Sequence, residues 1–293
     1  MDLAIIVVLV GLAGVTGSPT VTIRPEAAPA DRPAHTNTVL QMTKKTVFGQ
    51  QETVLIAKEA VEDVMATGEL NPSHYPAQRA AKVIQHYLNT RYGSPYRLVF
   101  MRKVHSGHAE DVAGPGRKYR LEISVQEFLR NITEKCSAEV LFPRGEKPGS
   151  PEVQASCEEL RNINIKAQEE ALYQQYKRNQ SLLSAQYLPD SHGHIDPDME
   201  PFWHLGIVAA SFVMLKESTE NTLYNVAQVA NVTQLESEND QLKFDYIVLL
   251  HEMVSQEILH WKLLFTWSPS EGVKVLHMEQ LPRCHCEKPP NTN

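Results

Sequence analysis

Basic side chains are the scarcer charge in this chain. Its 28 lysines and arginines stand against 35 aspartates and glutamates, a formal net charge of −7 with an isoelectric point near 6.0. That balance supplies no attraction for nucleic acid or for an acidic membrane surface, and neither is expected as a partner. Long apolar runs are missing as well. The run from Leu3 to Val15 falls short of the roughly 20 residues a helix needs to cross a bilayer, so no stable membrane span is expected. Catalytic signatures are also absent, since there is neither a His-Glu-x-x-His helix motif nor a Gly-x-Ser-x-Gly nucleophile elbow. The densest histidine pair, His192-Gly193-His194, lies between Asp190 and Asp196 in a Pro- and Asp-rich stretch that reads as a solvated connecting loop. Cys284-His285-Cys286 has no second cluster to complete the four ligands of a zinc site. No metal, no cofactor and no enzymatic activity are expected.

Cysteine is sparse, with four in 293 residues. Cys136 and Cys157 bracket an expected hairpin, Cys136 to Phe142 outward and Pro151 to Cys157 back, and their place at the open end of adjacent strands suits a disulfide. Cys284 and Cys286 either pair elsewhere or stay free. Residues 1–17 end in Val15-Thr16-Gly17 and read as a secretory signal peptide, although no basic residue precedes the apolar run; a signal anchor is the alternative. Three Asn-x-Ser/Thr triplets, at Asn131, Asn179 and Asn231, are candidate glycosylation acceptors that fit the same secreted, extracellular location. Asn131 and Asn179 read as surface positions, whereas Asn231 falls in a strand.

What the chain does contain is one supersecondary unit written twice. Lys118 to Glu127 aligns with Lys243 to Glu252 at an offset of 125 residues, sharing a lysine, an aromatic, apolar alternation and a terminal glutamate. The same offset lays the helical run Ala77 to Gly93 over Phe202 to Ser218, Leu98 to Met101 over Leu223 to Val226, and Cys136 to Phe142 over Trp261 to Trp267. Four elements in register point to a duplicated module of helix followed by strands. At 42 % hydrophobic residues the chain can bury two cores of ordinary size.

The expected organisation follows. After the signal, residues 18–70 form a leader without periodicity apart from a candidate short helix over 46–67. A first unit covers 71–160, a connecting helix and loop 161–198, a second unit 199–282 and a tail 283–293. The first helix, Ala77 to Tyr92, shows one apolar stripe; strands are expected near 96–105, 117–126, 135–142 and 151–157. The second helix, Phe202 to Leu215, is apolar almost all round and is expected to be wrapped by a sheet. Strands near 222–235, 241–252, 256–267 and 273–278 follow it. The fold class is therefore α+β, each unit a helix packed in a curved four-stranded antiparallel sheet.

Tyr75 to Ala81, Lys118 to Leu121, Cys136 to Pro143 and Phe244 to Glu252 with Ser255 to Ile258 resemble the latexin family. Pro189 to Pro197 is similar to its retinoic acid receptor responder branch. The resemblance, covering about residues 71–282, implies two tandem cystatin-like subdomains joined by a helical segment. It also implies a proteinaceous inhibitor of carboxypeptidase A-type zinc metallocarboxypeptidases that covers the active-site funnel. Carried over residue by residue, the protease-binding hairpin comprises His251, Glu252, Met253, Val254, Ser255, Gln256 and Glu257, with Gln256 facing the arginines that hold a substrate carboxylate. Glu252, Met253 and Val254 depart from the family pattern. The signal, the leader and the Cys136/Cys157 pair also depart from the family's latexin pattern, whereas its secretory members carry a comparable cysteine pair. A cystatin-type Gln-x-Val-x-Gly hairpin is incomplete in both places where it is approximated, Gln228 to Val232 lacking the glycine and Lys103 to Gly107 lacking the glutamine. The competing expectation is a secreted glycoprotein with a matrix, mineralised-tissue or growth-regulatory binding role and no protease inhibition.

Overall fold

The computed structural model describes residues 67–112, 116–145, 149–178, 181–238 and 240–282. The signal, residues 46–66 of the candidate helix, Asn179, Cys284 and Cys286 lie outside them.

The described residues fold into two antiparallel sheets, each crossed by one long helix. In the first half a short strand β1 (Gly68–Glu69) precedes α1 (Tyr75–Tyr92), followed by β2 (Val99–Val112), β3 (Gly116–Glu127), β4 (Ile132–Pro143) and β5 (Glu152–Ser156), paired in that order. A single turn α2 (Glu159–Asn162) and a helix α3 (Lys166–Arg178) connect the halves. The second half repeats the plan with β6 (Ser184–Leu188), α4 (Glu200–Glu217), β7 (Tyr224–Glu238), β8 (Gln241–Glu252), β9 (Glu257–Ser268) and β10 (Gly272–Gln280). This is the expected α+β class, with one difference: each sheet has five strands, because β1 and β6 pair with the free edges of β2 and β7. β1 is only two residues long and β6 does not alternate, so nothing in the pattern announces them.

The offset of 125 residues survives in three dimensions. It carries α1 onto α4, β3 onto β8 and β4 onto β9 end to end. It also carries the irregularities. β2 slips register between Met101 and Lys103 and again between Val104 and Ser106 against β3, and β7 does so between Val226 and Gln228 and between Val229 and Asn231 against β8. Paired bulges bend a strand and increase its twist, which is how each sheet curves around its helix. Both near-matches to the Gln-x-Val-x-Gly motif lie at these bulges inside long strands, not at hairpin tips.

Helix start and stop signals act as the sequence predicts. Proline stands in the first turn of α1 and of α4, and α1 closes at Gly93, whose N–H donates to the Asn89 carbonyl at 2.9 Å. Alternation along β3 and β8 buries Tyr119, Leu121, Ile123 and Val125 against α1, and Phe244, Tyr246, Val248 and Leu250 against α4. Gly206 lets α4 approach its sheet, since a Cβ there would stand 2.4 Å from Val229 Cγ2.

One expectation is corrected. α1 buries more than its apolar stripe, because Gln85, His86 and Asn89 are also buried. The reason is the other half: α1 and α4 pack together, with Leu98, Ile207 and Val208 forming a small apolar cluster at the seam. For the same reason the all-round apolar character of α4 is satisfied by its own sheet on one side and by α1 and β2 on the other. Polar ties cross the seam too. His204 Nδ1 donates to the Pro95 carbonyl at 2.7 Å, Arg79 to the Glu220 carbonyl at 3.3 Å, and Arg144 pairs with the Glu220 carboxylate at 3.1 Å. α3 joins both halves, through Gln168, which accepts from Arg130 at 2.8 Å, and Tyr173, which donates to the Asp240 carbonyl at 2.5 Å.

Candidate functional site

The β8–β9 hairpin ends in a four-residue connection, Met253 to Gln256, between strands of twelve residues each. Its conformation is set by one carboxylate. Glu252, buried at the end of β8, accepts from the backbone N–H of Val254 at 3.1 Å, of Ser255 at 2.5 Å and of Leu223, across on the chain entering β7, at 2.9 Å. Burial pushes the Glu252 carboxyl up, but the bonds from Ser255, Leu223 and Val254 together outweigh it and hold the group below the usual glutamate range. Met253 N–H donates to the Leu223 carbonyl at 2.8 Å, tying the turn to β7 a second time. Gln256 closes the turn in the left-handed region at φ 61° and donates Nε2 to the Met253 carbonyl at 2.5 Å. Met253 and Val254 are left 38 % and 47 % exposed, and Ile258 beside them is exposed as well. A rigid turn thus presents a small apolar tip.

The same device closes β3–β4. Glu127, at the position equivalent to Glu252, accepts from Leu129 N–H at 3.2 Å and Arg130 N–H at 2.8 Å. Phe128 N–H donates to the Leu98 carbonyl at 2.9 Å, and Asn131 takes the left-handed conformation at φ 56°, as Gln256 does. Phe128 and Leu129 are the exposed apolar residues of this tip. Sequence reasoning aligned the two glutamates but did not assign them this work. The signal was available: a glutamate closing a strand, followed three residues later by a polar residue, in both copies.

The remaining predicted residues fall as follows. Cys136 on β4 and Cys157 just after β5 face each other with Cα atoms 5.1 Å apart and are joined by a disulfide. Asn131 is exposed on the β3–β4 turn, its side-chain oxygen accepting from Gln126. Asn231 lies in β7 between β6 and β8, with Nδ2 donating to Thr233 at 3.1 Å. His251 pairs with Ile258 across the hairpin, one rung from the tip. In the 189–197 loop, the Asp190 carboxylate accepts from the N–H groups of His192 at 2.8 Å and His194 at 2.9 Å. Those bonds, His194 first and then His192, hold the Asp190 carboxyl low and shape the turn. No group of metal-ligating side chains converges among the described residues, and no described helix is long and apolar enough to cross a membrane.

Compared with known families, residues 70–285 match the family described as latexin. The chain belongs to the latexin family. It is 37 % identical to latexin of Mus musculus over 216 residues, covering 73 % of this chain and 97 % of that protein. It is 33 % identical to retinoic acid receptor responder protein 1 of Homo sapiens, covering 72 % of each. Ovocalyxin-32 of Gallus gallus is 31 % identical over 70 % of this chain and 74 % of its own length. Among solved structures, mouse fetuin-B matches over 74 % of this chain at 9 % identity with a TM-score of 0.24. The latexin-family match takes in every described strand but β1, together with both hairpin tips and the seam between the halves, while residues 1–69 precede it.

Proposed function

We propose that this latexin-family chain is a secreted, non-enzymatic inhibitor of carboxypeptidase A-type zinc metallocarboxypeptidases, and that the β8–β9 tip enters the active-site funnel. The observation that carries the reading is the tip itself: an apolar end, Met253 and Val254, on a turn fixed by the buried Glu252 carboxylate. A pre-ordered loop loses little conformational freedom on docking, so more of its contact energy appears as affinity. Gln256 carries a carboxamide that can both accept from and donate to groups built to hold a substrate's terminal carboxylate, the arginines of such a funnel among them. His251 and Glu257 flank it, one on each strand.

Titration of the purified chain into a carboxypeptidase A-type enzyme, following release of C-terminal residues, tests the reading. Stoichiometric inhibition at nanomolar concentration is expected, and Gln256→Ala is expected to weaken it at least tenfold with the circular dichroism spectrum unchanged. No inhibition at micromolar concentration would remove it. A second reading, an extracellular glycoprotein with a matrix, mineralised-tissue or growth-regulatory binding role, draws on Asn131, exposed on a hairpin tip where an oligosaccharide has room. It predicts a glycan at Asn131 together with an absence of inhibition.

A further inference from the structure

The seam between the halves holds more than packing. A cavity of about 420 Å³ lies between α1 and α4, with walls contributed by Phe100 and Phe128 of the first half and Trp203, Ile207 and Met214 of the second. Phe128 is the one exposed residue of the lining, 60 % exposed on the β3–β4 tip, and it stacks edge-on against Phe100 at 5.4 Å, so we take the mouth to be there. The size and the mostly apolar lining are those of a small-molecule site.

Polar groups in the wall are nearly all committed elsewhere. Asn89 exchanges two hydrogen bonds with the Val99 backbone, at 3.0 and 2.9 Å. Gln85 accepts from Met101 N–H at 3.0 Å, Ser211 donates to the Ile207 carbonyl at 2.8 Å, and His204 is held by the Pro95 carbonyl. Asn225 donates to Met253 Sδ at 2.7 Å. His86 is different. It is 1 % exposed, lines the cavity, and neither ring nitrogen makes a hydrogen bond of good geometry. The Tyr224 backbone lies near the ring without forming a hydrogen bond of good geometry, and a buried imidazole so poorly bonded calls for something to bond to.

We propose that the seam cavity binds a neutral, largely apolar small molecule bearing one hydroxyl or carbonyl, with His86 as the hydrogen-bonding partner of that group. The apolar walls take the body of the molecule, and the imidazole, which offers one donor and one acceptor when neutral, takes its polar end. Burial first, and the nearby Lys82 second, push the His86 imidazole well down, with the Tyr224 backbone offsetting only part of this. The ring is therefore uncharged at neutral pH, and no aspartate, glutamate, lysine or arginine stands in the lining, so the walls offer no charge to a carboxylate or phosphate and the ligand is assigned as neutral. The inference is independent of protease inhibition.

The test uses the whole purified chain and 6-propionyl-2-dimethylaminonaphthalene, a neutral aromatic ketone whose emission moves to the blue in apolar surroundings. Saturable binding at one probe per chain is expected. His86→Leu, which removes the donor while keeping an apolar side chain, is expected to weaken it five- to tenfold, the worth of one hydrogen bond. A naphthalene without the carbonyl is expected to bind the original chain and His86→Leu alike. Phe128→Ala, at an exposed position where folding is not at stake, is expected to weaken both ligands by removing the wall at the mouth. Non-saturable binding, or affinities unchanged in both variants, would overturn the proposal. If His86→Leu does not fold, unchanged affinity in Phe128→Ala overturns it alone.

Discussion

The two halves share a backbone plan and fill it with different material. In the first, the helix meets its sheet through small residues, Ala77, Ala80 and Ala81, and a disulfide locks β4 to the end of β5. In the second, Phe202 stands where Ala77 does, Tyr246 where Leu121 does and Phe265 where Val140 does, and Trp261 occupies the place of the bridged Cys136. One half has the smaller core and a covalent link; the other has a cluster of Phe202, Phe244, Tyr246 and Phe265 with ring centroids 4.9 to 6.0 Å apart. Aromatic burial and chain cross-linking act on opposite sides of the folding equilibrium. The first lowers the free energy of the folded state, and the second chiefly restricts the unfolded one.

The largest effect is expected in the aromatic half. Phe244 touches three other rings, so Phe244→Ala leaves a large cavity and is expected to cost about 3–5 kcal/mol in urea unfolding. Next comes the staple. Replacing Cys136 and Cys157 together by alanine is expected to cost about 3 kcal/mol, given a separation of 21 residues along the chain. Native-state hydrogen exchange sharpens the contrast: amides of β2 to β5 should lose protection first, while those of β7 to β9 hold. Equal loss in both sheets would show that the seam, not each half's own filling, governs local stability.

Much of this plan was legible in the sequence because it rests on periodicity. Alternation in Tyr119 to Val125 and Phe244 to Leu250 marks strands with one buried face, and the shared offset marks the duplication. What stayed hidden was either too short or too polar to show a period. β1 and β6 gain their identity only from the edges they pair with. Gln85, His86 and Asn89 read as the solvent side of α1, since a sequence does not say that a second half will cover them. The turn glutamates were visible as letters, yet their role depends on N–H groups that converge only once the hairpins form. Of the candidate site, the sequence located the β8–β9 tip through resemblance and missed both its clamp and the matching tip on β3–β4.

That clamp supplies a smaller test. Glu252→Gln keeps the shape and removes the charge, weakening bonds from three backbone N–H groups, and is expected to cost about 1.5–3 kcal/mol at pH 7. The folded-state carboxyl sits below its ordinary value, so its contribution is fully present above the unfolded pKa of about 4.3 and is lost as pH falls through the lower, folded value. The stability gap between Glu252→Gln and the original chain should therefore shrink as the solution is acidified below that point. A gap independent of pH would show that packing of the side chain, not its charge, fixes the turn.

The smallest expected effect separates the architecture of the tip from its use. Both turns end in a left-handed residue, but the first half uses asparagine, which tolerates that region, and the second uses Gln256, which does so less readily. Gln256→Asn copies the first half's solution and is expected to change stability by only a few tenths of a kcal/mol, in the favourable direction if the strain relieved exceeds the lost bond to the Met253 carbonyl. Its shorter amide reaches less far, so inhibition of a carboxypeptidase should fall although the fold gains or holds. A variant that is as stable and as inhibitory as the original would mean that the tip acts through Met253 and Val254, with Gln256 serving only to close the turn.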